Sequence, residues 1–243
     1  MKLLSVCFVM TFLVTSAAAQ NSAKPWSEWS KKEVEKMLND SAWSQTQVDG
    51  RKEQPQDVEA VTQVAANRAA DRQMNRTGES GEAKATPSVK YHVRFLSAKP
   101  VRAAFARMVL LSKTQPDEAL TGQLQGFIDR SFADYIVVSV GVEVSDAKMG
   151  DQLMRALSMA TADALKQNVY LERKDGKKLN LMEYRPPTED GMGAKFVFPR
   201  AVEGQPFLTE NDSVRFVAQF NERMKLNTRY KLSDMLYDGK LEY

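Results

Sequence analysis

The longest run of β-branched residues beyond position 20 lies between residues 135 and 144, with the sequence YIVVSVGVEV. Apolar residues occupy every second position of this run: Ile136, Val138, Val140, Val142 and Val144. Strict alternation is typical of a β-strand with one strongly buried face. The opposite face is apolar at the start of the run and polar at its end. The pattern therefore predicts a central strand that is covered on both faces over its first half.

Segments with apolar residues at helical spacing precede and follow this strand in the sequence. Apolar residues recur every three or four positions after Pro100, after Pro116 and from about 147 to 166, which predicts three helices. Pro100 suits the first turn of a helix, because that turn leaves its N–H groups unpaired and proline has none. Alternation over residues 89–95 predicts a half-buried strand ahead of the first of these helices.

The C-terminal part of the chain changes to short alternating segments. The sequence Lys174-Asp175-Gly176-Lys177 separates two of them and indicates a tight β-hairpin. Further short strands are predicted over residues 195–198, 214–220, 225–232 and 240–243. Together the patterns predict an α+β fold, with a mixed sheet, three or so helices, a C-terminal half of mostly antiparallel strands and an additional N-terminal helix.

The first nineteen residues have the pattern of a secretory signal peptide. A basic residue at Lys2 precedes an apolar stretch, and Ala17-Ala18-Ala19 forms a small-residue cleavage site before Gln20. The single cysteine of the chain, Cys7, lies inside this segment. We therefore expect an exported protein, periplasmic or extracellular, whose mature chain has no cysteine and no further membrane-spanning segment.

Residues 20–43 contain all three tryptophans of the chain, Trp26, Trp29 and Trp43. Ser30 and Glu33 form a capping-box pattern that predicts a helix through about Asn39. One hypothesis is that the tryptophans dock a partner. The alternative is that they pack on their own domain, where indole rings bury much apolar area.

The remaining organisation follows from a change in composition. Residues 44–88 contain no aromatic residue and are rich in polar residues, which predicts a protease-sensitive linker or loop, with a possible helix over residues 58–74. Residues 89–243 are then expected to form a single α+β domain.

Three segments of the chain resemble a group of uncharacterised exported bacterial proteins. These segments are WSEWSKKEVEKMLNDSAW at residues 26–43, FLSAKP at residues 95–100 and LYDGKLEY at residues 236–243. The resemblance implies export and a shared fold. It implies no function and no site residues.

The charge of the chain is nearly balanced, with a formal net charge of +3 over 243 residues. A charge this small does not by itself indicate a polyanionic partner. Nucleic-acid binding is not expected either, because aromatic residues are not interleaved with the basic ones.

One basic segment stands out between Glu82 and Asp117, where no acidic residue occurs. We predict an anion-binding site formed by Arg94, Lys99 and Arg102, because free N–H groups at the start of the following helix would add to their field. The alternative is that acidic residues elsewhere neutralise this surface on folding.

Sequence motifs for catalysis are sparse. His92 is the only histidine, and with no cysteine in the mature chain we expect no histidine- or cysteine-based metal site and no cofactor. Residues 145–148, Ser-Asp-Ala-Lys, match the Ser-x-x-Lys nucleophile motif of penicillin-recognising enzymes, but a helix cap at Ser145 or Asp146 gives the same pattern.

Two hypotheses for function follow. The first is an exported, non-catalytic protein that binds an anionic envelope component or a protein partner, with the basic anion-binding surface as the candidate site. The alternative is an exported hydrolase whose site the sequence does not reveal.

Overall fold

A computed structural model describes residues 24–49, 88–221 and 224–243. The predicted signal peptide, the predicted helix over residues 58–74 and most of the predicted linker lie outside these residues. The described helices are α1 Lys31–Asn39, α2 Lys99–Leu111, α3 Glu118–Ile128, α4 Ala147–Met159 and α5 Ala162–Leu165, with 3-10 turns at Trp26–Glu28 and Leu232–Asp234.

The longer strands are β1 Ser44–Asp49, β2 Val89–Phe95, β3 Tyr135–Val144, β4 Val169–Arg173, β5 Lys178–Asn180, β6 Glu183–Arg185, β7 Ala194–Pro199, β10 Ser213–Gln219 and β11 Lys225–Lys231. Two short hairpins pair β8 Ala201–Val202 with β9 Gln205–Pro206, and β12 Leu236–Tyr237 with β13 Lys240–Leu241. The α+β class and the strand-rich C-terminal half are confirmed. The central strand occupies the predicted residues, with β2 and β7 as its neighbours.

Two sheets pack face to face around the core. A five-stranded sheet has the order β1-β2-β3-β7-β6, and a four-stranded sheet has the order β11-β10-β4-β5. Aromatic rings fill the space between them, with ring centroids 4.8 Å apart for Phe95 and Tyr230 and 5.4 Å apart for Phe196 and Phe216. Such edge-to-face contacts stabilise a core beyond the area that they bury.

Every described strand pair is antiparallel, so the expectation of a mixed sheet is corrected. The reason lies in the connection between β2 and β3. Two successive helices, α2 and α3, join these strands. A single crossover helix returns the chain to the start of a parallel strand, whereas a second helix leaves it at the opposite end.

Residues 44–49 are a second correction, because the predicted linker begins with an edge strand. Strand β1 pairs with β2 along its whole length. Its sequence, SQTQVD, lacks apolar alternation, although on the face towards α1 Ser44 is fully buried and the hydroxyl of Thr46 donates to the backbone oxygen of Asn39. The other face points towards β11. The side-chain amides of Gln45 and Gln47 donate to backbone oxygens of β11, at Arg229 and at Lys225 (2.7 Å for the latter).

The predicted helix over residues 147–166 is divided in two at Ala160. The hydroxyl of Thr161 accepts a hydrogen bond of 3.3 Å from the backbone N–H of Ala164, which caps α5 as a separate helix. Asp146 caps α4 in the same way through the N–H of Met149, at 2.8 Å. Threonine and aspartate oxygens at these positions satisfy N–H groups that a helix start leaves unpaired.

Helices α1 and α2 cover part of the outer face of the five-stranded sheet. The capping box at Ser30 and Glu33 starts α1 as predicted. Val34, Leu38 and Trp43 then join the main hydrophobic core, each at most 7% exposed. The N-terminal segment is therefore packed as part of the same folded unit. Towards strands β7 and β6, the outer face of this sheet lies open as a groove.

Candidate functional site

Two of the three predicted anion-binding residues, Lys99 and Arg102, line one pocket of about 370 Å³ at the start of α2. The Lys99 ammonium lies 2.9 Å from a carboxylate oxygen of Asp129. The backbone N–H of Lys99 donates to the carboxylate of Glu242 at 3.2 Å. The start of α2 thus already holds a carboxylate of the same chain, as the helix dipole favours.

Arg102 is bound to backbone oxygens and is only 4% exposed. Its guanidinium donates to the carbonyls of Ser97, Ile128 and Arg130, and it lies 4.8 Å from the centroid of the Phe132 ring. Burial lowers the pKa of Arg102 to about 10. These contacts fix the turn after α3 against α2, which is a structural role.

Arg94 lies apart from that pocket, beneath α1. Its guanidinium donates to the carbonyl of Leu38 at 2.6 Å and to the side-chain oxygen of Asn39 at 3.1 Å, and it faces the ring of Phe105. Burial lowers the pKa of Arg94 to about 10. Arg94 therefore satisfies the carbonyl of Leu38 at the end of α1. The three predicted residues do not converge.

The tryptophans of the predicted docking segment bond within their own chain. Trp43 is 7% exposed, and its indole N–H donates to the backbone oxygen of Glu242 at 2.7 Å. The indole of Trp26 donates to Gln125 at 3.1 Å, and that of Trp29 donates to the backbone of Lys24 at 3.0 Å. Trp26 and Trp29 are half-buried against α2 and α3. Little indole surface is therefore left for a partner.

The groove lies on the outer face of the five-stranded sheet, over β3, β7 and β6. Val137, Val197 and Leu96 line its base, and each is at most 7% exposed. Val137 and Val197 are directly opposite one another in the β3–β7 register. The apolar base thus comes from outward positions of strands that no described helix covers here.

Aromatic rings and methionines form the walls of the groove. Phe127, at the end of α3, and Phe132 are half-buried, whereas Tyr135 and Met182 are each 44% exposed. Met192 contributes from the opposite loop. The cavity measures about 540 Å³, which is within the range of pockets that hold small ligands. Methionine side chains adapt readily to different apolar ligands.

A glycine in the loop after β6 positions one side of this groove. Gly193 has a φ of +84°, and a Cβ atom there would lie 2.2 Å from the backbone oxygen of Val140. Only glycine fits both the backbone conformation and the close approach. The loop therefore runs tightly against β3 where β7 begins, and it brings Asp190 and Met192 to the groove.

Five charged residues line the groove. Four of them form two ion pairs, and the fifth is a cation. Lys195 binds Asp190 at 2.7 Å, and Arg185 binds Glu183 at 2.7 Å. Arg130 is exposed and has no acidic partner among the described residues. It lines both the groove and the pocket at the start of α2. Three cations and two acids give the groove a net charge of one positive unit.

His92, the single histidine of the chain, lies in a polar cluster on the outer face of the five-stranded sheet. The side chain is 13% exposed, with Nδ1 2.9 Å from the Thr46 hydroxyl and Nε2 3.3 Å from Glu143. Lys90 binds the same carboxylate at 2.7 Å. Burial, with the charge of Arg94 adding to it, lowers the pKa of His92. The hydroxyl of Thr46 also donates to the carbonyl of Asn39, so this cluster links α1 to the sheet.

The Ser-x-x-Lys motif does not form a pair in the structure. The hydroxyl of Ser145 exchanges hydrogen bonds with the backbone of Ser88, and the neighbouring Asp146 caps α4. The motif therefore gives no support to the hydrolase hypothesis. Within residues 24–49, 88–221 and 224–243, no group of three or more histidine, cysteine, aspartate or glutamate side chains is placed to hold a metal ion.

Comparison with known proteins provides little context. No family model and no curated protein matches the chain. The fold is similar to a crystal structure described as a novel protein of unknown function from Burkholderia pseudomallei K96243, with 9% sequence identity and a TM-score of 0.40 over 74% of this chain and 91% of that one. A likeness at this level carries no argument about function. None of the helices in the described part of the chain has the length and apolar character needed to cross a bilayer.

Proposed function

We propose that this is an exported, non-catalytic binding protein, and that it holds a ligand with an apolar body and an acidic group in the groove over β3, β7 and β6. Export rests on the sequence pattern of residues 1–19. The groove is the observation that carries the binding function. Its base and walls are apolar, it is open to solvent, and its volume suits a molecule of small-ligand size.

The acidic group of the ligand is inferred from Arg130. The other two cations at the groove already have carboxylate partners, at Glu183 and Asp190. A ligand carboxylate would therefore meet Arg130, whose guanidinium, unlike that of Arg185 in the same groove, has no acidic partner among the described residues. Arginine donates two parallel hydrogen bonds to a carboxylate, which fixes the orientation of the ligand as well as its charge.

The test uses a dansyl-labelled undecanoic acid and its methyl ester, which share an apolar body and differ in charge. Fluorescence titration of the wild type is expected to give saturable binding, with the acid tighter than the ester. Arg130→Gln is expected to lower the affinity for the acid by about two- to fivefold, as for loss of a solvent-exposed ion pair. The affinity for the ester should not change.

A second variant tests the location of the ligand. Val137→Phe places a ring into the base of the groove and should abolish binding of both probes. Val217→Phe, on the outer face of the four-stranded sheet, is the matched control and should bind as the wild type does. The proposal is wrong if wild type binds neither probe, or if Val137→Phe and Val217→Phe bind equally well.

A further inference from the structure

The outer face of the four-stranded sheet differs from the rest of the molecular surface in its charge. Twelve side chains alternate outward along its four strands, and those of β11 are all exposed. They are Tyr170, Glu172, Lys178, Asn180, Ser213, Arg215, Val217, Gln219, Lys225, Asn227, Arg229 and Lys231. Five of them are cations and one is an acid, so this face carries a net charge of +4. The whole chain carries only +3.

The strand register brings the charges of this basic face together. Lys178 lies opposite Glu172, Glu172 opposite Arg215, and Arg215 opposite Arg229. Neighbouring strands are about 4.8 Å apart, so this row crosses the sheet over about 14 Å. Lys225 lies four residues from Arg229 on the same edge strand, or about 13 Å along it.

Most of these cations are available to a ligand. Arg215 binds Glu172, and Lys231 lies 3.1 Å from Asp234. Lys178, Lys225 and Arg229 have no acidic partner among the described residues, and all three are exposed. Repulsion among like charges on one face costs stability unless a counter-charge is bound.

We propose that the basic face binds a linear acidic polysaccharide. The anionic groups of such a chain would pair with the three cations that lack an acidic partner. Amide side chains accompany these cations on the same face: Asn227 lies between Lys225 and Arg229, Gln219 lies opposite Lys225, and Asn180 is two residues from Lys178. Amides both donate and accept hydrogen bonds, which suits sugar hydroxyls.

Other polyanions fit this face less well. Single-stranded nucleic acid needs aromatic rings on which bases stack, and the only ring here, Tyr170, already has the Lys178 ammonium 4.1 Å from its centroid. A membrane surface favours apolar side chains that insert between lipids. The only aliphatic side chain of the basic face, Val217, is half-buried. Since this face and the groove belong to different sheets, the inference is independent of the proposed function.

The test measures fluorescence anisotropy with labelled polygalacturonate, using neutral dextran, poly(dT) and phosphatidylglycerol vesicles for comparison. Wild type is expected to bind polygalacturonate, more weakly as salt is raised, and not dextran. The variant Lys178→Gln/Lys225→Gln/Arg229→Gln should lose about tenfold or more in affinity, because three exposed ion pairs each contribute modestly. All three positions are exposed, and thermal melts by circular dichroism check that the fold is retained.

A matched control removes the same charge elsewhere. Lys32→Gln/Lys113→Gln/Lys148→Gln changes three exposed lysines outside the sheets and should bind as the wild type does. Equal losses in both triple variants would mean that only net charge matters, which contradicts a site on this face. Failure to bind polygalacturonate, or tighter binding of poly(dT) or vesicles at equal charge, would overturn the proposed ligand class.

Discussion

The two sheets have similar inner faces and very different outer faces. Inward positions at the centre of both sheets are mostly aromatic or aliphatic and buried, such as Phe95, Phe196 and Phe216. Outward on the five-stranded sheet, Ser44, Arg94 and Ser139 are buried side by side beneath the helices. Outward on the four-stranded sheet, half of the twelve side chains are charged, and those of β5 and β11 are exposed. The same alternation therefore specifies the core, whereas the helices decide whether an outward polar residue becomes structural or remains free to bind.

This difference is sharpest for the two outward arginines, Arg94 and Arg215. Arg94→Ala removes one buried and one partly buried hydrogen bond at the end of α1, together with the packing of the arginine stem, and should lower the free energy of unfolding by about 3 kcal/mol. Arg215→Ala removes a half-exposed ion pair and should cost about 1 kcal/mol or less. Urea denaturation measures both. Equal losses would mean that the helices over the five-stranded sheet do not make Arg94 structural.

Two glycines with nearly the same backbone angle separate the effect of conformation from that of contact. Gly176 has a φ of +82° and no atom within 4 Å of an added Cβ, whereas Gly193 has a φ of +84° and meets the backbone of Val140. Gly176→Ala should cost about 1 kcal/mol from conformation alone. Gly193→Ala should cost about 2 kcal/mol or more and should also weaken binding of the dansyl-labelled undecanoic acid. Equal melting shifts with unchanged probe binding would show that the close approach to β3 does not hold the groove in place.

The smallest expected effect concerns pH and His92. Its pKa is lowered in the folded protein, so the unfolded chain binds a proton more readily. Stability is therefore complete above the unfolded value of about 6.5 and falls as the pH drops below it, towards the folded value. In His92→Gln the midpoint of urea denaturation should depend less on pH between about pH 6.5 and 5. Carboxylates still contribute little to the pH dependence of stability in this range. A midpoint that falls as steeply in His92→Gln as in wild type would assign the effect to other groups.

Local patterns predicted most of the fold. The alternation over residues 135–144 and the helical stripes that begin near Pro100 and Glu118 depend only on near neighbours, and each corresponds to an observed element. The sequence does not predict strand β1, because its side-chain contacts are to the edge of β11, about 180 residues away. These contacts are hydrogen bonds of side-chain amides, not apolar packing. A polar strand of this kind has no local signal.

Neither candidate site could be found from the sequence. The groove combines Leu96, Phe127, Val137, Met182 and Val197, which come from separate segments and are unremarkable individually. The basic face could not be predicted for a different reason. The net charge of the whole chain is near neutral, and it does not show that the charges are distributed unevenly over the folded surface. The basic run between Glu82 and Asp117 is visible in the sequence, yet in the folded protein all three of its arginines donate to backbone oxygens.

The amides of Gln45 and Gln47 have a consequence for how the molecule behaves at high concentration. Unpaired backbone groups along an edge strand can recruit a strand from another molecule, which is a route to aggregation. Here two side chains of β1 satisfy backbone groups along the facing edge of β11, namely the oxygens of Arg229 and Lys225 and the N–H of Asn227, the last at 2.9 Å. On the opposite side, the chain itself passes from β5 in one sheet to β6 in the other, and two prolines, which donate no hydrogen bond, follow β6. The sandwich thus resists edge-to-edge association without being a closed barrel.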